Sequence, residues 1–294
     1  MTAPVKPSGT LKQFLDTKKV ETRLTGPIER HLLTRPRDTS RRTDVIHPSA
    51  LIKHDFCARA SYFTLTGQGI KEEDRPGLRL QSIFDEGHSI HAKWQAWLRE
   101  MGVLYGAWEC RVCDHYWWAQ SPPHCTSCES TLVNYREVPV FDESLMIAGH
   151  SDGWVKGIGN DYMIEIKSVG AGTIRMEQPS LLSANDGDVS KAFRDIRRPF
   201  PSHLRQGLLY LELARRMVED GELESAPTEI VYLYELKADQ AYKEFVVRAN
   251  RDIVEDCLER AAFIAFAVRT EDPPPCSNDP VKGCKACRPA KVKP

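Results

Sequence analysis

The chain has no long apolar run. None of its 294 residues falls in a stretch approaching the ~20 apolar positions that a membrane-spanning helix needs. It also lacks an excess of charge, with 40 basic residues against 41 acidic ones. Overall charge therefore makes no case for nucleic acid, and any basic groove has to be local. Met1 to Thr17 carries no apolar core of the kind a secretory leader has. No internal repeat is present. These absences point to a soluble, intracellular (cytoplasmic) protein with no membrane partner, long enough for one large domain or two small ones. In that reducing setting its nine cysteines read as metal ligands rather than disulfides.

Four of them form two C-x-x-C pairs, Cys110 with Cys113 and Cys125 with Cys128, eleven residues apart. Two such knuckles complete a tetrahedral Zn²⁺ site, and four sulfurs leave no open position, so the expectation is a structural zinc ribbon over 106–132. Tyr116, Trp117 and Trp118 lie between the knuckles. They either stack on bases of a single strand or form the ribbon's own small core. Near the end come Cys276, seven residues, Cys284, two residues and Cys287. Cys57 is the natural fourth member, because Cys257 lies within a helical stretch without cysteine neighbours. Four thiolates suit either a [4Fe–4S] cluster or zinc.

Leu145–Val155 and Tyr162–Val169 read as two strands joined by the turn Gly157-Ile158-Gly159-Asn160. Alternation puts Glu165 and Lys167 on one face and Ile164 and Ile166 on the other. Asp152 lies near the end of the first strand and can face the same spot. Two hard oxygen ligands suit Mg²⁺ or Mn²⁺. A lysine beside them positions water or stabilises charge building on a phosphate. The same residues also describe an ordinary hairpin with a surface ion pair.

The remaining elements follow from periodicity. Ser49 is the expected N-cap of a helix running toward Cys57. Leu78–Met101 is helical, with Leu80, Ile83, Phe84, Gly87, Ile90, His91, Trp94 and Leu98 on one apolar face. His91 lies on that face, with His88 offset from it. Val133–Phe141 reads as a strand and Val189–Arg197 as a weak helix. Pro201–Glu219 is an amphipathic helix with Gln206 and Tyr210 at i and i+4. Ile230–Leu236 and Tyr242–Val247 read as strands, and Asn250–Arg269 as a helix. Residues 1–45 form a polar arm containing Lys18, Lys19, Arg23, Arg30, Arg35, Arg37, Arg41 and Arg42, with short helices expected at Leu11–Leu15 and Ile28–Leu33. The arm is either a contact for nucleic acid or a partner, or a solvated extension. Arg175, Lys191, Arg194, Arg197 and Arg198 make 170–202 locally basic, as a phosphate-tracking segment or a solvated loop.

Five features occur in order: Ser49…Cys57-Ala-Arg59, Gly87-x-x-x-His91, Gly149-His-Ser-Asp152, Glu165-Ile-Lys167 and Gln206-x-x-x-Tyr210, followed by the cysteine-rich tail. In this the chain resembles RecB-type nucleases of the PD-(D/E)XK superfamily. More narrowly, it is similar to the iron–sulfur exonucleases of the CRISPR-associated protein 4 family and their phage relatives. The resemblance spans roughly 49–288. It implies an α/β fold with a mixed central sheet flanked by helices, a zinc-ribbon insertion and an iron–sulfur staple in a nuclease domain over 46–294, with the C-terminal cysteine cluster in 271–294. It implies that His91, Asp152, Glu165 and the Ile166 carbonyl hold Mg²⁺ or Mn²⁺, that Lys167 is catalytic, and that Gln206 and Tyr210 support the site or touch the strand. It implies a [4Fe–4S] cluster on Cys57, Cys276, Cys284 and Cys287. The order of gaps in the tail is reversed from the family's usual one, and the ribbon is not part of the family core. The implied activity is a metal-dependent exonuclease on single-stranded DNA ends, 5′→3′, in recombination, repair or replication. The alternatives are an endonuclease or flap-processing subunit of a recombination or adaptation complex, and a non-catalytic DNA-binding subunit. Implied partners are single-stranded DNA or DNA ends, and a helicase, recombinase or adaptation-complex protein.

Overall fold

The computed structural model describes residues 23–36, 41–68, 75–279, 284 and 286–287. The helix expected at Leu11–Leu15, and Lys18, Lys19 and Arg37 of the arm, lie outside the described residues. In chain order the elements are α1 (Thr25–Thr34), α2 (Pro48–Leu51), α3 (Ala58–Leu65), α4 (Leu78–Glu100), β1 (Leu104–Cys110), β2 (Tyr116–Gln120), β3 (Val133–Tyr135), β4 (Val138–Asp142), β5 (Ile147–Ser151), β6 (Gly153–Val155) and β7 (Tyr162–Val169). There follow α5 (Ala171–Glu177), α6 (Pro179–Ala184), α7 (Val189–Arg194), α8 (Pro201–Glu219), β8 (Glu229–Leu236), β9 (Tyr242–Arg248) and α9 (Glu255–Arg269).

Seven strands form a mixed sheet in the order β2-β1-β6-β7-β8-β9, with β3 also paired to β1. Every pairing in it is antiparallel except β7 with β8. Parallel neighbours need a long crossover, and α5 to α8 supply it. β4 and β5 form a separate antiparallel pair. The architecture is thus mixed α/β, with helices against both faces of the sheet. Ile164 and Ile166 of β7 pack with Ile90, Trp94 and Leu98 of α4 on one face. Met163 and Val169 pack with Leu208, Leu209 and Leu213 of α8 on the other. Among the described residues no helix is long and apolar enough to cross a membrane.

Several elements differ from the expectation, each for a physical reason. Ser49 is not a cap: His47 occupies that position and Pro48 opens the helix, where its fixed φ fits and its missing N–H is not needed. A second helix starts after Cys57. The strand expected over Leu145–Val155 is broken at Asp152, because β5 pairs with β4 while β6 pairs with β7. The strand expected over Val133–Phe141 is likewise two, separated at Glu137, whose φ of 61° is left-handed. Residues 171–184, for which the sequence predicts no element, hold α5 and α6. The helix at 189 stops at Arg194, and the last one begins at Glu255 after a 3₁₀ turn over Arg251–Ile253. The apolar stripe of α4 is covered only in its second half; Leu80, Ile83 and Phe84 are exposed.

β1 belongs to two structures at once. Leu104 and Tyr105 pair with β6, while Trp108, Glu109 and Cys110 pair with β3. The cysteine knuckles therefore grow directly out of the central sheet, and Cys110 and Cys125 join the same core cluster as Ile164 and Ile166. Of the three aromatics between the knuckles, Trp118 packs near Tyr105 with ring centroids 6.0 Å apart, and Trp117 stacks on His115 at 5.2 Å. Tyr116 is the exposed one.

Candidate active site

The pairing of β6 with β7 ends at Gly153 opposite Ile164. Among the described residues no strand pairs with β7 on that side beyond this point, which leaves a notch in the sheet. Asp152, between β5 and β6, fills it. Its Oδ2 accepts the Ile166 amide at 2.6 Å in place of a strand partner. In an extended strand the N–H and C=O of one residue point to the same edge. The Ile166 carbonyl therefore faces the notch as well.

Two helices bring the other groups. From α4, His91 Nδ1 stands 3.0 Å from Asp152 Oδ1, and Gln95 one turn later donates to the Asp152 carbonyl at 2.9 Å. Gly87 lets α4 settle here, since a Cβ on it would lie 3.2 Å from Ser168 Oγ of β7. His88 is exposed. From α8, Gln206 Oε1 accepts Lys167 Nζ at 3.1 Å, and Gln206 Nε2 donates to the Tyr210 hydroxyl at 2.8 Å. Gly149 admits that helix: a Cβ there would be 2.9 Å from Tyr210 Cε1 and 3.0 Å from Pro48 Cδ. Lys167 Nζ lies 2.6 Å from Glu165 Oε1. A continuous polar chain thus runs from Tyr210 through Gln206 and Lys167 to Glu165.

Burial sets the electrostatics. Glu165 is 3% exposed, and burial pushes its carboxyl up, to about 7, against the pull of Lys167. Burial opposes the charge of Lys167 too, but Glu165 and Asp152 outweigh it and hold the ammonium protonated. Burial likewise lowers His91, but its bond to Asp152 together with the charges of Asp152 and Glu165 leaves it raised. Burial raises the Tyr210 hydroxyl far above its ordinary range, so it stays a neutral phenol.

The donor set fits a hard divalent cation. It offers two carboxylates, an imidazole and a peptide carbonyl. Glu165 Oε2 is buried and has no hydrogen-bond partner, an arrangement that normally calls for a ligand. His91, Asp152 and Glu165 are not among the groups whose ligand atoms all lie within 4.8 Å of one another; among the described residues those groups are the two cysteine quartets.

The quartets are Cys110, Cys113, Cys125 and Cys128, and Cys57, Cys276, Cys284 and Cys287. In the first, Cys110 and Cys128 are 3.5 Å apart and Cys113 and Cys125 3.7 Å. In the second, Cys57 and Cys276 are 3.8 Å apart and Cys284 and Cys287 3.7 Å. Four sulfurs at about 2.3 Å from one tetrahedral ion stand about 3.8 Å from each other. Amides of Val112 and Ser127 point at Cys110 and Cys125, and those of Asp279 and Cys284 at Cys276, as thiolates require. Both quartets fit a single ion. A cube of four irons would carry its four thiolates farther apart, each outward on its own iron, so the second quartet as it stands is spaced for one ion and would have to open for the [4Fe–4S] cluster that the resemblance implies.

One residue touching the site was absent from the sequence reading. Gln95 carried a usable signal, since it lies at i+4 from His91 on the same helix.

No protein-family model matches the chain, and no curated protein matches it. Among solved structures, the protein SSO0001 is similar over 93% of this chain and 90% of its own, at 13% identity and a TM-score of 0.36. An alkaline exonuclease of Laribacter hongkongensis, LHK-Exo, is similar over 79% of this chain and 91% of its own, at 11% identity and a TM-score of 0.42. Its complex with dAMP gives 11% identity and 0.39 over 78% and 90%. At such scores the backbones agree loosely.

Proposed function

We propose that the protein is a metal-dependent deoxyribonuclease that hydrolyses phosphodiester bonds as an exonuclease on single-stranded DNA ends. The observation that carries this is the buried constellation itself. His91, Asp152, Glu165 and Lys167 meet at a notch in the sheet, with one carboxylate oxygen unpartnered. A scaffold has no use for two buried carboxylates beside a half-buried lysine and histidine there, since such groups cost stability to bury.

His91, Asp152, Glu165 and the Ile166 carbonyl would hold Mg²⁺ or Mn²⁺. When bound, the cation lowers the pKa of water and polarises the phosphate. Lys167 places a fixed positive charge beside the reacting phosphate, and Gln206 holds its ammonium in direction. Tyr210 in turn holds Gln206. The exposed arginines Arg175, Arg194 and Arg198 follow β7 directly in the chain and offer backbone contacts for the strand. The 5′→3′ polarity, the role in recombination, repair or replication, and a helicase, recombinase or adaptation-complex partner rest on the sequence resemblance. Both cysteine quartets hold a structural ion, zinc by ligand preference.

The test is cleavage of single strands labelled at either end, with Mn²⁺, beside circular strands. Lys167→Ala and Asp152→Ala should each lose cleavage by orders of magnitude while keeping most strand binding, because these groups act on the transition state. Full activity in either variant would reject the site. Cleavage of circles would replace the exonuclease reading with an endonuclease one.

A further inference from the structure

We propose that Glu137 is a further carboxylate donor of the divalent-cation site, facing Asp152, although it lies outside the D…E-x-K pattern. The proposal rests on the metal-dependent reading above. Its first support is register. β4 and β5 pair antiparallel, and the last pair is Val138 with Ser151. Glu137 and Asp152 are the next residues on the two strands, so both leave the ladder at the same end. Like charges brought side by side at the end of such a ladder repel.

The second support is the backbone. Glu137 has φ of 61°, a region that costs a residue with a long side chain energy and favours Gly or Asn. Its carbonyl accepts the Ala107 amide at 2.9 Å, a contact that any residue would make. The turn therefore does not explain a glutamate.

The third is the charge around it. Burial pushes the Glu137 carboxyl up, to about 7, the Asp152 charge pushes it further, and His91 and Gln95 pull the other way. Asp152 and His91 act on Glu165 as well, and Tyr210 senses Glu165, Asp152 and Glu137 together. Asp152 is thus the charge that both Glu165 and Glu137 feel. The lysine of the site, Lys167, is committed to Glu165 and Gln206. The unpartnered Glu165 Oε2, on a side chain almost fully buried, independently marks the site for a ligand. A divalent cation answers all four observations, because it relieves the repulsion between Asp152 and Glu137 and occupies the orphan oxygen.

The experiment titrates the full chain, loaded with zinc at its cysteines, with Mn²⁺ by electron paramagnetic resonance. The variants are Glu137→Gln and Glu137→Asn, with Asp152→Ala as control. Expected is a Kd for Mn²⁺ raised roughly 10- to 100-fold in both Glu137 variants, the range for lost carboxylate support of a metal. In EDTA the Tm of Glu137→Gln should equal or exceed that of the wild type, since the like charge is gone. A folded Glu137→Gln protein that binds Mn²⁺ within twofold of the wild type overturns the proposal. So does a lower Tm in EDTA accompanying the loss of affinity, which would mark Glu137 as structural support. If Glu137→Gln does not fold, Glu137→Asn, which tolerates the left-handed backbone, gives the same readout. A wild type that binds no Mn²⁺, or an Asp152→Ala control that binds it normally, would instead sink the metal-site reading underneath.

Discussion

Gly207→Ala should destabilise this protein, although alanine is the better helix former. Gly207 lies inside α8, where glycine costs about 1 kcal/mol relative to alanine. The substitution at an open site would therefore gain that amount. Here the new Cβ would stand 2.5 Å from Ile230 Cδ1, 2.5 Å from the Tyr232 hydroxyl and 2.8 Å from Tyr232 Cζ. Ile230 and Tyr232 are fully buried in β8, and the Tyr232 hydroxyl is fixed by donating to the Leu204 carbonyl at 2.8 Å. Relief requires moving α8 off the sheet or breaking that bond. Overpacking costs about 1–3 kcal/mol, and the lost hydrogen bond about 1 kcal/mol. Set against the propensity gain, the net loss is about 1–3 kcal/mol. At roughly 2–4 °C per kcal/mol for a chain of this size, the Tm should fall by several degrees. Gly172→Ala is the control: that glycine is also helical, has no atom within 4 Å of an added Cβ, and should leave the Tm unchanged or slightly higher. Because Gln206 is the neighbouring residue, the displaced helix should also cut cleavage at a temperature where the variant is folded. Thermal unfolding by circular dichroism reads the first effect and single-strand cleavage the second. A Gly207→Ala protein more stable than wild type would refute the close packing of α8 on β8.

Purified protein should be colourless and carry two zinc ions per chain by elemental analysis; brown protein absorbing broadly near ~400 nm would restore an iron–thiolate cluster at the second quartet. Cys110→Ser should lose one zinc and, because β1 continues into the catalytic sheet, lower the Tm of the whole domain rather than loosen the ribbon alone. Cys57→Ser should lose the other zinc and lower the Tm sharply, since that centre closes a loop of more than 200 residues; retention of both ions would mean Cys57 is not a ligand. Burial, aided by the Lys167 charge, pushes His203 down to about 3. The unfolded chain therefore binds the extra proton between about 3 and 6.5. This contribution to stability is full above pH 6.5 and is lost as pH falls, at up to ~1.4 kcal/mol per pH unit. His203→Phe should flatten the acid side of the stability profile by that slope, and an unchanged profile would show that the histidine is not held neutral.

What local pattern encodes was legible. A 3.6-residue period gave α4 and α8 nearly to the residue, and i,i+4 spacing put Gln206 and Tyr210 on one face. Strand alternation placed Glu165 with Lys167, and the paired C-x-x-C spacing named the first quartet. Each is set by a few neighbouring residues, so the chain alone determines it. What the sequence did not reveal depends on partners distant in the chain. Asp152 interrupts a strand only because its two flanks pair with different neighbours, β4 and β7. The Ile166 amide needs Asp152 only because the β6–β7 ladder ends at Gly153 and Ile164, two residues short of it. The apolar half-turns at Leu80, Ile83 and Phe84 look like core by period but stay exposed. Val138 pairs with Ser151 across the β4–β5 ladder and so brings the flanking Glu137 and Asp152 to one end of it, with no motif to announce it. Hydrogen-bond pairing between strands is non-local, and its register decides which acids meet, so the chemistry of the site was decided by tertiary structure while its ingredients were already written in the chain.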